Sequence, residues 1–380
     1  MRLLFVSHSL PPAGEEFSNV GGMQRVALDL HEALGSRDDV EYRAFVLRST
    51  WRAIHWRVWP FALAAIVFLP KLTRREDTDI VLFSSVITAA LALPLKNRFD
   101  RSRVKLATIA HGLDVTKDID MYQRQVPKVF EQMDLVLPVS QATGEACLDR
   151  GLARNKMRVV PNGIRLDRFS APESRRAMRR ELSEARQDPG SPLPNSAMLL
   201  CSVGRQVKRK GIAWFIDQVM PRMPDDVHYW VAGEPGPDTE NIRAAISARG
   251  LDGRVRLLGK IPEEDLMRLY RGADLFVMPN IPVPGDMEGF GVVMLEAGAC
   301  GLPTVASRLE GIQDVIAEGR NGYFAEAGDA EAFAAAIMAY YRKPEGLMLA
   351  SRRALMYTAE TFGWEVTAER YVEALRGLVG

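Results

Sequence analysis

No stretch of this 380-residue sequence reaches the eighteen or more apolar residues that a spanning helix needs. The longest apolar run, Trp59 to Pro70, is about half of that requirement. The opening "MRLLFVSHSLPP" is too short in its apolar part for a signal peptide, so a cytoplasmic location is expected. Cysteine is scarce. Cys147, Cys201 and Cys300 are far apart, odd in number and form no CxxC pair. That excludes a disulfide framework and leaves buried thiols in a reducing compartment. The five histidines (His8, His31, His55, His111 and His228) lack ligand spacing, so no metal site is expected. A net charge of +1 gives no global drive toward nucleic acid.

What is present points to a globular α/β chain. Hydrophobic residues make up 47% and charged residues 26%, and the length suits two domains with separate cores. Short apolar runs alternate with helical patterns such as Met23–Leu34 and Gln141–Arg150. "RLLFVSHS", "EYRAFVL", "DIVLFSS", "VKLATIAHG", "LVLPVS" and "MRVVPNG" read as strands in the first half. The segment Ser183–Ala197, rich in Pro, Gly and Ser, reads as a loop near a domain boundary. Then "AMLLCSVGR", "HYWVAGEP", "RVRLLGKI", "DLFVMPN", "PTVASRL" and "GYFAEAG" restart the alternation. Two doubly wound, Rossmann-like domains in series are expected, facing a central cleft and binding ligands at the carboxyl ends of their strands. Their expected spans are 1–170 and 171–363. The last helix, Trp364–Leu378 within 364–380, is expected to pack back on the first domain.

Three segments carry candidate chemistry. In "SHSLPPAGEEFSNVGGMQRVALDL", Gly21 and Gly22 lead from a strand into a helix, where free N–H groups favour an anion. The loop is not GxGxxG, and a purely structural loop fits it as well. In "CSVGRQVKRKG", Arg205, Lys208, Arg209 and Lys210 gather between Gly204 and Gly211, where a helix starts. Cations in a first turn oppose the helix dipole, and a bound diphosphate would resolve that conflict. In "GDMEGFGVVMLEAGACGLPTVAS", Glu288 sits in a loop and Glu296 in a helix expected from Gly291 to Ala299. A carboxylate among Val293, Met294, Leu295 and Ala297 needs polar partners, and sugar hydroxyls are suitable ones. Gly289, Gly291 and Gly298 would let a ligand approach. Two ordinary helix glutamates remain the plainer alternative.

"EGFGVVMLE" resembles the E-x7-E motif of family 4 glycosyltransferases, which adopt the GT-B fold. "GRQVKRKG" resembles their G-R-x-x-x-x-K-G phosphate site, "GGMQRV" their N-terminal glycine loop and "VPNGIRLDRF" their interdomain loop. "HG" at His111 resembles their histidine after the fourth strand. The matches follow the family's order over most of the chain. The resemblance implies that Arg205 and Lys210, beside Gly204, hold the diphosphate of a UDP- or GDP-type sugar. It implies that Glu296 binds the ribose, and that Glu288 sits by the donor sugar with backbone N–H groups from Phe290, Gly291 and Val292. Gly22 would let the backbone approach the phosphates or acceptor, and His111 would contact the transferred sugar or line the reaction centre. Gly259, Lys260 and Ile261 would flank the base. Family members retain anomeric configuration and need no metal, and no cofactor beyond the donor is expected.

The sequence departs from the family in "SRLEGIQDVI", where Glu310, a single Gly311 and Asp314 replace a glycine pair and glutamate. "DID" at 118–120 mimics a metal-binding D-x-D of another fold and reads as surface acid. A sugar-nucleotide epimerase or a non-catalytic nucleotide-sugar binder on the same fold stays open. Half of the six tryptophans, Trp51, Trp56 and Trp59, fall within 48–75, beside Arg48, Arg52, Arg57, Lys71, Arg74 and Arg75. That composition suits an anionic membrane surface next to a lipid-linked acceptor. A helix packed on the sheet explains its apolar centre.

Overall fold

The computed structural model describes the chain apart from residues 13, 15–21, 51–52, 76–77, 173, 187–192, 195 and 380, and the side chain of Arg75. Gly21, Trp51, Arg52 and part of the Ser183–Ala197 segment therefore lie outside the described residues. Two compact units emerge. One comprises Met1–Gly163, Met287–Phe290 and Gly363–Gly380, and the other Ile164–Asp286 and Gly291–Phe362.

Among the described residues, the first unit holds five strands: β1 Arg2–Leu10, β2 Glu41–Arg48, β3 Ile80–Phe83, β4 Lys105–Ala110 and β5 Leu135–Pro138. They pair in parallel in the order β2-β1-β3-β4-β5. Strands β3 and β5 are buried along their whole length, as expected where helices cover both faces of a parallel sheet. The expected sixth strand, "MRVVPNG", is only an isolated bridge from Met157 to Val136. Arg158 and Val160 donate to the carbonyls of Val136 and Pro138, and the pairing stops there because β5 ends at Pro138 and Ser140 caps the next helix. The helix Trp364–Arg376 packs on the helix Gly22–Gly35 through an apolar face that includes Tyr371, Val372 and Leu375. The partly buried pair Arg37–Glu369 (2.7 Å) and the exposed pair Arg376–Asp39 (2.6 Å) decorate this contact. Pairs of that kind contribute little.

The second unit holds six described strands: β6 Met198–Val203, β7 Val227–Ala232, β8 Val255–Gly259, β9 Leu275–Met278, β10 Thr304–Ser307 and β11 Gly322–Ala325. All pair in parallel, in the order β11-β10-β9-β6-β7-β8. The start of the expected loop is helical, because the helix Arg175–Arg186 runs through Ser183 and holds Leu182 buried.

Gly298 answers to packing inside the fold. The helix Val292–Ala299 lies against the helix Pro344–Phe362. A Cβ on Gly298 would meet Thr358 Oγ1 at 2.2 Å. The expectation that this glycine admits a ligand is thus corrected: the space is filled by Thr358. Gly298→Ala should destabilise the chain by about 1–3 kcal/mol through overpacking, measured by urea unfolding. Adding Thr358→Ala should restore most of that loss. A neutral Gly298→Ala would show that the helices have room to part.

Candidate active site

In each unit the strand order reverses once beside the first strand. In the second, β7 and β8 extend one way from β6, and β9 lies on its other side. Open parallel sheets bind ligands at the carboxyl edge of such a reversal. The cationic loop begins there. Gly204 follows β6, and Gly204 N–H donates to the carbonyl of Ala232 at 2.9 Å. Lys210 folds back over it, with Cε 3.2 Å from where a Gly204 Cβ would stand.

The expected cationic first turn needs correction. Lys208–Lys210 form a 3-10 turn of their own, and the helix starts at Ile212 after Gly211. Gly211 has φ of 64°, and a Cβ there would stand 1.8 Å from the carbonyl oxygen of Pro279 after β9. That close approach joins the loops after β6 and β9 across the reversal, and Ile281 N–H donates to Arg209 O at 3.0 Å. Arg209 pairs with Asp286 at 3.3 Å, while Arg205 and Lys208 are exposed. The cations therefore precede the helix, where its dipole disfavours them less than inside the first turn. Ser202, Gly204, Lys210, Pro279 and Asn280 line a small cavity at this point, about 10 Å³ in volume.

The helix Val292–Ala299 starts after Gly291, as expected. Glu296 lies in its second turn and is 3% exposed. Tyr270, buried in the helix Glu263–Gly272, donates its hydroxyl to Glu296 Oε2 at 2.8 Å. Burial, reinforced by that carboxylate, holds the Tyr270 phenol well above its usual range. Sequence reasoning missed Tyr270. The buried carboxylate needs a partner, and the fold supplies one before any ligand does. Gly259 ends β8 with φ of 66°, with Lys260 exposed and Ile261 half-buried beyond it.

In the first unit the reversal lies between β1 and β3. A buried cluster of hydroxyls fills it. Ser84 donates to Ser7 at 2.9 Å, Ser85 lies 2.9 Å from Thr88, and Thr88 lies 2.7 Å from His8 Nδ1. His111, after β4, approaches the Ser84 carbonyl through Nε2 at 2.8 Å. A carbonyl only accepts, so Nε2 carries the proton and Nδ1 is left as the ring's other nitrogen. Asp114, fully buried, accepts from the backbone N–H of His111 (2.7 Å) and of Val86 (3.0 Å). Burial pushes its carboxyl above the usual range, against the opposing pull of the His111 ring and these amides.

The Met287–Phe290 segment belongs to this unit. Gly289 packs on the His111 backbone so closely that a Cβ would stand 2.0 Å from its carbonyl oxygen. Thr143 donates to Gly289 O at 3.3 Å. Glu288 is buried beside it, as is Phe290, and Val292 is half-buried. Thus His111 and Glu288 are brought together in one unit, and Arg205, Lys210 and Glu296 belong to the other. Gly22 opens its helix exposed, and a Cβ there would meet no described atom within 4 Å. His8, Asp114 and the hydroxyl cluster were not singled out. The serines flanking His8 in "SHS" and the pair in "FSS" were the available signal. The "DID" acids at 118–120 are exposed.

Residues 20–168 match the model of Glycosyltransferase Family 4, and residues 197–343 match that of Glycosyl transferases group 1. The chain belongs to glycosyltransferase family 4. Its fold is GT-B, with two parallel-sheet α/β units. The chain is 28% identical over 284 residues to the amylovoran biosynthesis glycosyltransferase AmsK of Erwinia amylovora, covering 73% of this chain and 64% of that one. It thus spans just under two thirds of AmsK. It is 26% identical to a GDP-mannose-dependent alpha-(1-6)-phosphatidylinositol monomannoside mannosyltransferase of Mycolicibacterium smegmatis, over 81% of this chain and 79% of that one. Among solved structures it resembles Anabaena HepE in complex with UDP and glucose. That match has a TM-score of 0.75, 19% identity, and 99% and 100% coverage.

A cavity of about 770 Å³ lies at the opposite, amino-terminal edge of this family member's second sheet, lined by Arg175, Arg179, Asp226 and Asp274 among others. Its half-buried Arg175 and buried Arg179 are already engaged. Arg175 donates to Gly301 O (2.8 Å) and Ser351, and Arg179 donates to Gly272 O (2.6 Å) and Asp274. Size alone therefore does not make it the donor site.

Burial lowers the His8 imidazole to about 4. The unfolded ring titrates near 6.5. Between those values the unfolded chain takes up a proton that the folded chain refuses. Stability present above pH 6.5 is therefore lost as pH falls toward 4, by up to about 1.4 kcal/mol per pH unit from this group. Urea unfolding at pH 7, 5.5 and 4.5 should show a shallower loss in His8→Gln than in the wild type. Equal slopes would mean that His8 is solvated enough to protonate in place.

Proposed function

We propose that this protein transfers a sugar from a UDP- or GDP-type nucleotide-diphosphate sugar to a hydroxyl of a glycan or lipid-linked acceptor. The transfer retains anomeric configuration and uses no metal. The observation that carries the reading is the cationic loop at the strand reversal of the second sheet, with Lys210 laid over Gly204. It is the arrangement that a diphosphate requires: fixed charge, close backbone and no competing carboxylate on Arg205 among the described pairs. The names of the relatives accord with it, since one is GDP-mannose-dependent and HepE is solved with UDP.

The chemical difficulty is charge separation. The bond from the anomeric carbon to the diphosphate oxygen breaks, the sugar becomes oxocarbenium-like, and the nucleoside diphosphate leaves as an anion. Arg205 and Lys210 stabilise that anion, and the chain from Phe290 through Gly291 to Val292 lies along its phosphate or sugar. Glu296, steadied by Tyr270, reads the ribose hydroxyls, and Gly259, Lys260 and Ile261 flank the base. The acceptor hydroxyl attacks on the leaving-group face and gives its proton to the departing phosphate oxygen. Glu288 and His111 then position the sugar, and neither acts as nucleophile. Gly22 leaves room for phosphate or acceptor. The reading extends to an enzyme held peripherally on the cytoplasmic membrane face.

Arg205→Ala and Lys210→Ala should each weaken UDP and GDP binding about tenfold or more, read by calorimetry. Unchanged affinity in both would remove the site. Glu296→Gln keeps an acceptor for Tyr270 and loses the charge. It should weaken nucleoside diphosphate and leave pyrophosphate nearly untouched. Equal losses for both ligands would assign Glu296 to the fold instead. Product NMR decides the anomeric outcome, and sugar release that needs no acceptor would favour an epimerase.

A further inference from the structure

The helix Ile54–Arg75 is apolar on two opposite faces. Ile54, Phe61, Ala65 and Leu69 are buried, and the last three join the core with Leu4, Val81 and Phe83. Phe61 also stacks on Phe45, ring centres 5.0 Å apart. On the other face Trp56, Trp59, Leu63 and Val67, spaced three, four and four residues, form one outward stripe. Trp56 is 82% exposed, Trp59 72% and Leu63 67%, and Phe68, also exposed, lies about a quarter turn round from Val67. The expectation for this segment divided it along its length, with a packed centre and an exposed flank. The structure divides it by face, and Leu63 of the apolar centre points outward.

A helix apolar all round is normally buried. Here the outward half meets no partner among the described residues. Nor does the helix qualify to span a bilayer, since no described helix is long and apolar enough to cross one. From Trp56 to Val67 the stripe measures about 17 Å along the axis, a length that lies in an interface without crossing it.

We propose that this face docks on the surface of an anionic lipid bilayer. Charge selects that occupant. Arg57, Lys71 and Arg74 are exposed along the helix, and no Asp or Glu occurs from Tyr42 through Arg75. Arg98 adds another cation by donating to Ile66 O at 3.2 Å. Lys71 lies over the Phe68 ring, 5.9 Å from its centre, so charge and apolar surface sit together. Tryptophans at one end suit the headgroup level. A second copy is a poor occupant. An antiparallel pairing of the two stripes would set Arg57 against Lys71 and Arg74, and a parallel one would set like on like. The helix itself supplies no acid to either, and Asp100, which feels Arg74, already accepts from Ser102 at 2.6 Å. Anionic headgroups answer every cation. The docking rests on the glycosyltransferase reading only for its purpose, which is to hold the enzyme where a lipid-linked acceptor lies.

Sedimentation with phosphatidylcholine vesicles, with and without one third phosphatidylglycerol, tests this at low and high salt. The wild type should pellet with the anionic vesicles alone, and less in high salt. Arg57→Glu and Lys71→Glu should each lower partitioning about fivefold or more. Leu63→Glu should lower it further while leaving the melting temperature and the UDP and GDP affinities unchanged. Brominated acyl chains should quench wild-type tryptophan fluorescence, and the Trp56→Phe/Trp59→Phe pair should remove that quenching. A wild type that stays in the supernatant at low salt overturns the proposal. So does a Leu63→Glu variant that pellets as the wild type does. A vesicle-free dimer, seen by light scattering and dissolved by Leu63→Glu, reassigns the face to self-association. Protein that binds nucleotide but ignores vesicles fails the docking alone. Protein that binds vesicles but no nucleotide fails the donor reading alone.

Discussion

A parallel sheet can extend to both sides of its first strand only by sending successive crossovers over opposite faces. Where the direction changes, the two connections part and the carboxyl edge lies uncovered. Each unit of this protein has one such place, beside β1 in the first and beside β6 in the second. The polar loops of both sheets gather at that constraint. The basic loop leaves β6 there and is tied to the loop after β9 by the contact of Gly211 with the Pro279 carbonyl. The buried hydroxyls of Ser7, Ser84, Ser85 and Thr88 occupy the corresponding place in the first sheet.

Two buried carboxylates show how the polar parts of such an edge are kept in place. A buried charge without partners is expensive. Asp114 finds two backbone amides, His111 and Val86, and so ties the turn after β4 to the turn after β3. His111 is held at both ends, its amide on Asp114 and its Nε2 on the Ser84 carbonyl. Glu296 finds the Tyr270 hydroxyl from a neighbouring helix. In both cases a residue that could serve a ligand is first positioned by the protein. The polar groups of the edge are thus fixed in orientation by the protein's own hydrogen bonds.

The Ile54–Arg75 helix shows a limit of periodicity. Its apolar residues recur at helical spacing, yet two faces satisfy that spacing at once. Only the sheet decides which face is covered. Phe61, Ala65 and Leu69 are core because β1 and β3 lie beneath them. Trp59 and Leu63 are surface for the same reason, although their side chains are as apolar.

Taken alone, the sequence determined what short-range physics controls. Eleven of the twelve expected strands stand where alternation and apolar runs place them. The twelfth, Met157–Gly163, was misjudged because its partner β5, distant in the chain, ends at Pro138 and leaves only an isolated bridge. The helix after Gly291 and the buried state of the three cysteines were likewise legible. Tertiary structure alone decided that β9 lies beside β6. It also decided that Tyr270 partners Glu296, that Gly298 makes room for Thr358, and that His8 joins Thr88 across 80 residues. Each of these is a contact between segments far apart in the chain. Local propensity and spacing constrain neighbours along the backbone, whereas such contacts are chosen only when whole sheets and helices compete to bury their apolar faces.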